Sequence, residues 1–286
     1  MAILAFLTRR CLTLLVVVLM VGLGGVALTR LAPGFDVDER EMDPRYSMSS
    51  LEAVRAERAA ERDVVGFYVS YLKGLARGDF GRSRSFDRPV AELLAERAPA
   101  TAAIVARGLA LAWVVGLGLA ALAGLTRLPG ADLAASVVAG ASLCVPAALL
   151  AFAALYWNGP VAACIAAAVF PRIFRHTRNA LVEARGRVHV MAAVARGVSP
   201  AAVMLRHVVA PVVSRTLALA GVSVGAALGA AVPVEVLADV PGIGQLAWKA
   251  ASGRDLPLMA GLTLVVTAIT MGANAVADAV IGEGGK

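Results

Sequence analysis

Six apolar runs set the terms for this chain. They cover residues 11–28, 101–125, 133–157, 161–174, 216–236 and 258–281, and charged residues gather between them. An α-helix rises about 1.5 Å per residue, so about 20 apolar residues cross a hydrocarbon core of about 30 Å. The chain is 59% hydrophobic and 16% charged, with a mean hydropathy of +0.77. That composition belongs to an integral membrane protein, and the runs predict an all-α one with six transmembrane helices. The net charge of +7 raises nucleic acid as a partner. The arginines, however, flank apolar runs, and no aromatic stacking platform accompanies them. The charge therefore reads as topology, and no nucleic-acid partner is expected.

The individual runs differ. Residues 11–28 follow Arg9 and Arg10. A basic start and an apolar core also fit a signal peptide, but no small-x-small cleavage site clearly follows, so a retained first helix is favoured. Residues 101–125 are interrupted only by Arg107, and residues 133–157 contain Pro146. The fourth run is short. Its clean part, 161–170, rises only about 15 Å, so it must borrow length from a segment whose Arg172 and Arg175 can snorkel. Residues 29–100 form the long polar region. Ser49, Ser50, Leu51 and Glu52 suit a capping box. Leu51, Val54, Val65, Tyr68, Leu72 and Leu75 recur near helical spacing, which predicts one or two amphipathic helices outside the membrane. The domain reading is a tail and first helix over 1–28, an external region over 29–100, and a five-helix core over 101–286.

Residues 172–215 hold eight arginines and one acid, Glu183. Such a stretch between apolar runs belongs on the cytoplasmic side, which places both termini there too. Residues 188–196 predict a helix that ends at Gly197, where a left-handed residue is the usual stop. Ser199 and Pro200 then read as an N-cap and first helical residue of a short helix over 201–209.

Within this stretch Ala192, Ala193 and Gly197 resemble the EAA loop of ATP-binding-cassette importer permeases, with Met191 where that loop has an acid. Arg30-Leu31-Ala32-Pro33-Gly34 resembles the RLxPG signature of the dipeptide/oligopeptide permease family. Gly78-Asp79-Phe80-Gly81-Arg82-Ser83, with Pro89-Val90 and 97–101, resembles that family's lead into its second helix. Val234-Glu235, Pro241-Gly242-Ile243-Gly244 and Arg254-Asp255-Leu256-Pro257 resemble its external segment between helices five and six. The motifs occur in order and span nearly the whole chain. Arg187, Val188 and His189 depart from the pattern before the alanines, and the 158–160 link and C-terminal tail are short.

The resemblance implies a type I permease in a bacterial inner membrane, carrying peptides or similar small solutes. It implies a second permease subunit, expected to be a different chain, two ATPase subunits and an extracytoplasmic binding protein. ATP would be held by the ATPases, so no cofactor is expected here. Ala192, Ala193, Gly197, Ser199, Pro200 and Ala201 would form the coupling element. Gly78, Asp79, Gly81, Glu235, Pro241, Gly242, Gly244, Arg254 and Asp255 would dock the binding protein or form an external gate. Arg107 and Asn274 are pathway candidates, since ionisable or polar groups inside spans are costly. For Arg107, snorkelling is the plainer reading.

Other chemistry is poorly supported. Gly242 and Gly244 are half of a dinucleotide fingerprint without the strand-helix unit around it. His176, His189 and His207 lack metal-ligand spacing, as do Cys11, Cys144 and Cys164. No catalytic set is present. Two further classes stay open. A secondary transporter would need midplane coupling residues, which are sparse. A non-transporting scaffold, a degenerate permease, would fit the diverged loop.

Overall fold

The computed structural model describes residues 2–31, 63–125 and 130–284. The capping box at 49–52, Val54, residues 32–34 of the first signature and most of the 126–130 turn lie outside them. The helices are α1 (Ala2–Leu31), α2 (Val64–Leu75), α3 (Val90–Leu125), α4 (Ala131–Cys144), α5 (Ala147–Tyr156) and α6 (Val161–Arg185). They continue as α7 (Val188–Ala195), α8 (Pro200–Ala202), α9 (Ala210–Leu217), α10 (Leu219–Leu237), α11 (Ile243–Ser252) and α12 (Leu256–Gly284). A π-helical stretch, Val203–Val209, joins α8 to α9, and a hairpin of β1 (Arg82–Ser83) and β2 (Arg88–Pro89) precedes α3. The chain forms two compact units, Met1–Ala98 with Leu246–Ala268, and Pro99–Gln245 with Ile269–Lys286.

In the first unit α2 lies along the apolar run of α1. Asp63 caps α2 by accepting from the Val65 amide. The Tyr68 hydroxyl donates to the Leu19 carbonyl at 2.9 Å. Tyr68, Tyr71, Val26, Leu256, Ala260 and Leu264 form one buried cluster. This revises one expectation. The inward face of α2 carries Tyr71, while Val65 is 61% exposed. Two large aromatic residues three apart define the buried face more strongly than one β-branched residue does.

In the second unit α6 is the hub, packed against α4, α5, α9 and α10. The inward stripe of α3 is made of small residues, with Gly108, Ala112, Gly116, Ala120 and Gly124 all buried. A Cβ at Gly108, Gly116 or Gly124 would meet Ile165, Ile173 or Leu181 of α6, at 2.7, 2.9 and 3.1 Å respectively. Both series step by eight residues in the same direction, so α3 and α6 run parallel and in register. Small residues permit this close approach, which is how helices associate when lipid removes the hydrophobic drive. α10 and α12 run antiparallel, with Gly221 against Asn274 and Gly225 against Thr270.

Among the described residues, three helices are long and apolar enough to cross a membrane: Val90–Gly124, Leu219–Leu237 and Leu256–Ala279. A fourth is added if α4 and α5 count as one span, although they meet at 97°. The run expected as the third span, with Pro146 inside it, is therefore broken at that proline. Pro146 supplies no amide, and it pushes Val145 into an extended conformation at φ −90°, ψ 118°. Leu15–Leu31 of α1 and Val64–Leu75 are shorter apolar helices. α6 is continuous for 25 residues, but from residue 172 onward it carries Arg172, Arg175, Arg178, Glu183 and Arg185.

Candidate functional site

The basic stretch folds as its residues dictate. α7 buries Val190 and Ala193 and exposes Met191, Ala192 and Val194. It ends in a Schellman motif: the Gly197 amide donates to the Val194 carbonyl at 3.0 Å, and the Val198 amide to the Ala193 carbonyl at 3.2 Å. Gly197 sits at φ 77°, the left-handed region where a Cβ is penalised. Ser199 then caps the next helix, accepting from the Ala202 amide at 3.4 Å, with Pro200 in the first turn. The short helix beyond is mostly π-helical, which the sequence pattern did not signal. The wider turn leaves Leu205 63% exposed while burying Val203 and Val208.

Two features of this stretch were missed from sequence. Val188, Met191, Val194 and Leu205 are 78%, 60%, 60% and 63% exposed, an apolar surface within an Arg-rich segment. Glu183 accepts from Arg187 at 2.6 Å and from Arg215 at 3.4 Å, which ties the two ends of the 188–214 segment together. Those arginines, Arg187 foremost, hold the Glu183 carboxyl below the usual carboxylate range. Nearby, Arg178 grips Asp132 with two donors.

The residues expected to dock a binding protein or form a gate separate into two hydrogen-bonded groups. In the first, Asp255 is fully buried. It accepts from the Ser83 hydroxyl at 2.6 Å, the Ser85 amide at 2.9 Å and the Leu258 amide at 3.1 Å. It thereby caps α12 and anchors the hairpin. Gly78 and Gly81 take positive φ, and Asp79 closes the turn by accepting from the Gly81 amide at 2.8 Å. Arg254 also holds a positive φ of 52°.

In the second group Glu235 is fully buried. Its Oε1 accepts from the Thr101 hydroxyl at 2.6 Å, and its Oε2 from the Gly244 and Gln245 amides at 2.7 and 3.2 Å. The Thr101 oxygen in turn accepts from the Ile243 amide at 2.7 Å. Gly242 has no room for a side chain, because a Cβ would lie 2.2 Å from Glu235 Oε2. Pro241 is exposed beside it. Both carboxylates are satisfied internally and do not present themselves to a partner. Thr101 belongs to this site, and only its distance in sequence hid it.

The pathway candidates differ in setting. Arg107 is exposed on the face of α3 opposite its buried stripe, flanked by the exposed Ala103, Ala106 and Ala110. Asn274 sits where α12 crosses α10, within 2.5 Å of a Cβ built on Gly221, so packing accounts for much of its setting.

Bundled apolar helices, a capped basic loop and glycine-shaped turns describe a helical membrane protein. The profile of the family described as binding-protein-dependent transport system inner membrane component matches residues 116–282, more than half of the chain, and the chain belongs to that family. It is a multi-pass inner-membrane permease subunit, non-catalytic, with ATP hydrolysis in a separate subunit of the transport system. Among its relatives, the oligopeptide transport system permease protein OppB of Escherichia coli K12 is 28% identical over 288 residues, covering 93% of each chain. A protein named as a peptide permease in Brucella ovis is 28% identical over 282 residues, covering 88% of each. A protein named as a peptide ABC transporter permease in Sinorhizobium fredii is 24% identical over 299 residues, covering 96% of this chain and 95% of its own.

Proposed function

We propose that this permease imports di- or oligopeptides, or similar small solutes, and that residues 172–215 are its coupling element. The substrate class follows the relatives named above. The complex would contain a second, different permease chain, two ATPases that bind the ATP, and an extracytoplasmic binding protein. Six spans with both termini cytoplasmic would put the 172–215 loop inside and the 237–257 segment outside. ATP and the loaded binding protein must each prefer the outward-facing state, since only differential affinity shifts a conformational equilibrium.

One observation carries the coupling role. The loop presents exposed Val188, Met191, Val194 and Leu205 among arginines that mark a water-facing segment. An apolar surface in water calls for a protein partner, and the Schellman turn fixes how it is presented. Gly197→Val should cost about 1–2 kcal/mol locally, because a β-branched residue at positive φ is strained. The variant should insert normally yet lose ATPase co-purification or ATP-driven uptake in vesicles, and Ala201→Asp should act alike. If both assemble and transport like the parent, the loop is not the coupling element and the scaffold reading gains.

A further inference from the structure

We propose that Glu235 is the positioning residue of a rigid joint, through which the Pro241–Gln245 turn travels with α3 at Thr101 and with the C-terminal end of α10 during transport. Access would then change by movement of these helices together with the turn, not by opening of this turn. The inference rests on the importer reading above.

The joint is closed on every side. Ile243, Gly244 and Gln245 contribute the first amides of α11, which no intrahelical carbonyl can satisfy. Two side chains take all three: Thr101 of α3 accepts from Ile243, and Glu235 of α10 accepts from Gly244 and Gln245. The Thr101 hydroxyl proton goes to Glu235 Oε1. Three donors thus converge on two oxygens, the pattern an acceptor-only carboxylate satisfies. The turn is also tied to itself. The Val240 amide donates to the Glu235 carbonyl at 2.9 Å, and the Gln245 side chain donates to Asp239 at 2.8 Å.

Packing removes the slack that a latch would need. A Cβ on Gly242 would strike both Glu235 and Thr101, and one on Gly244 would lie 2.7 Å from Val232 Cα. Separating the turn from α3 and α10 would strand a buried carboxylate and three backbone donors together. Leaving one partner of a buried hydrogen bond unmade is the expensive case, and here four groups lose partners at once. A segment that opened in every cycle would be wetter or less completely paired.

The test is a cross-link across the joint. Thr101→Cys and Ile243→Cys are introduced after replacing Cys11, Cys144 and Cys164, and the assembled transporter is oxidised in proteoliposomes. The disulfide ties together the two positions that the joint links through the Ile243 main-chain amide and the Thr101 hydroxyl. Uptake of radiolabelled trialanine by the oxidised form should stay within about twofold of the reduced form. Loss of uptake on oxidation, restored by reductant, would show that the joint must open, and would overturn the inference while leaving the importer reading intact. If even the cysteine-free parent takes up no peptide, the importer reading fails instead. The joint is then read by amide exchange at 243–245 in the purified complex. Protection unchanged by ATP supports it, and protection lost with ATP overturns it. Glu235→Gln adds a positioning readout: it should lower kcat with KM unchanged, because Glu235 does not touch the cargo.

Discussion

Gly197 and Gly242 are both constrained, for different reasons. At Gly197 a Cβ would meet nothing within 4 Å, but φ is 77°, so the demand is conformational. Asparagine, which tolerates the left-handed region, should therefore substitute nearly silently in a melting assay, where valine does not. At Gly242 the demand is for space. Gly242→Ala should destabilise by about 1–3 kcal/mol, the usual range for an added methyl in a closed site, and asparagine there should be worse still. Arg107 poses a third kind of question. An arginine facing away from its own helix packing, among alanines, is placed to meet cargo carboxylates or the headgroup region. In the first case Arg107→Ala should raise the half-saturating peptide concentration about tenfold or more, as for loss of a charge-assisted hydrogen bond, with Arg107→Lys intermediate. An unchanged value would assign the side chain to the lipid boundary.

At the scale of elements, the basic loop over 172–215 was the most legible part of the chain. Its signals are local: a glycine after a helical run, then serine and proline, all within a few residues. The Glu183 clasp was not legible, because Arg215 is 32 residues away and nothing in spacing selects one arginine among eight. It gives a pH expectation whose sign is fixed. The folded-state carboxyl of Glu183 is depressed, so its contribution is full above the ordinary carboxylate range and is lost as pH falls through the lower, folded value. The protection of the 188–209 amides, taken relative to their intrinsic exchange at each pH, should stay flat down through about pH 4.3, the ordinary glutamate value, and fall only below it. Glu183→Gln should lower that protection a few-fold at neutral pH, as expected for a screened surface pair. The same distance effect hid the Thr101–Glu235 pair, 134 residues apart, although glycines at 242 and 244 hinted that something approaches closely there.

For the whole molecule, apolar runs foretold that the chain is a membrane bundle, but not how each run is shaped. Hydropathy is a sum over residues, and it does not register that Pro146 turns one run through 97°. Sidedness is the property to measure. Ser199 and Ser252 are both exposed, so single cysteines there can be probed with impermeant thiol reagents. Ser199→Cys should label only from the cytoplasm and Ser252→Cys only from outside. Labelling of both from one side would overturn the six-span arrangement. The register of α3 against α6 bears on the same question. Helices that run parallel, matched at Gly108–Ile165, Gly116–Ile173 and Gly124–Leu181, begin at one level and end at another. Whatever joins them must carry the chain back to the starting level. The bent α4–α5 pair lies between them in sequence, so it has to make that return journey despite its angle. A hairpin that entered and left by one side would have made α6 antiparallel to α3. The bend therefore changes the route of the chain but not the parity of its crossings, and parity decides which face every later loop meets.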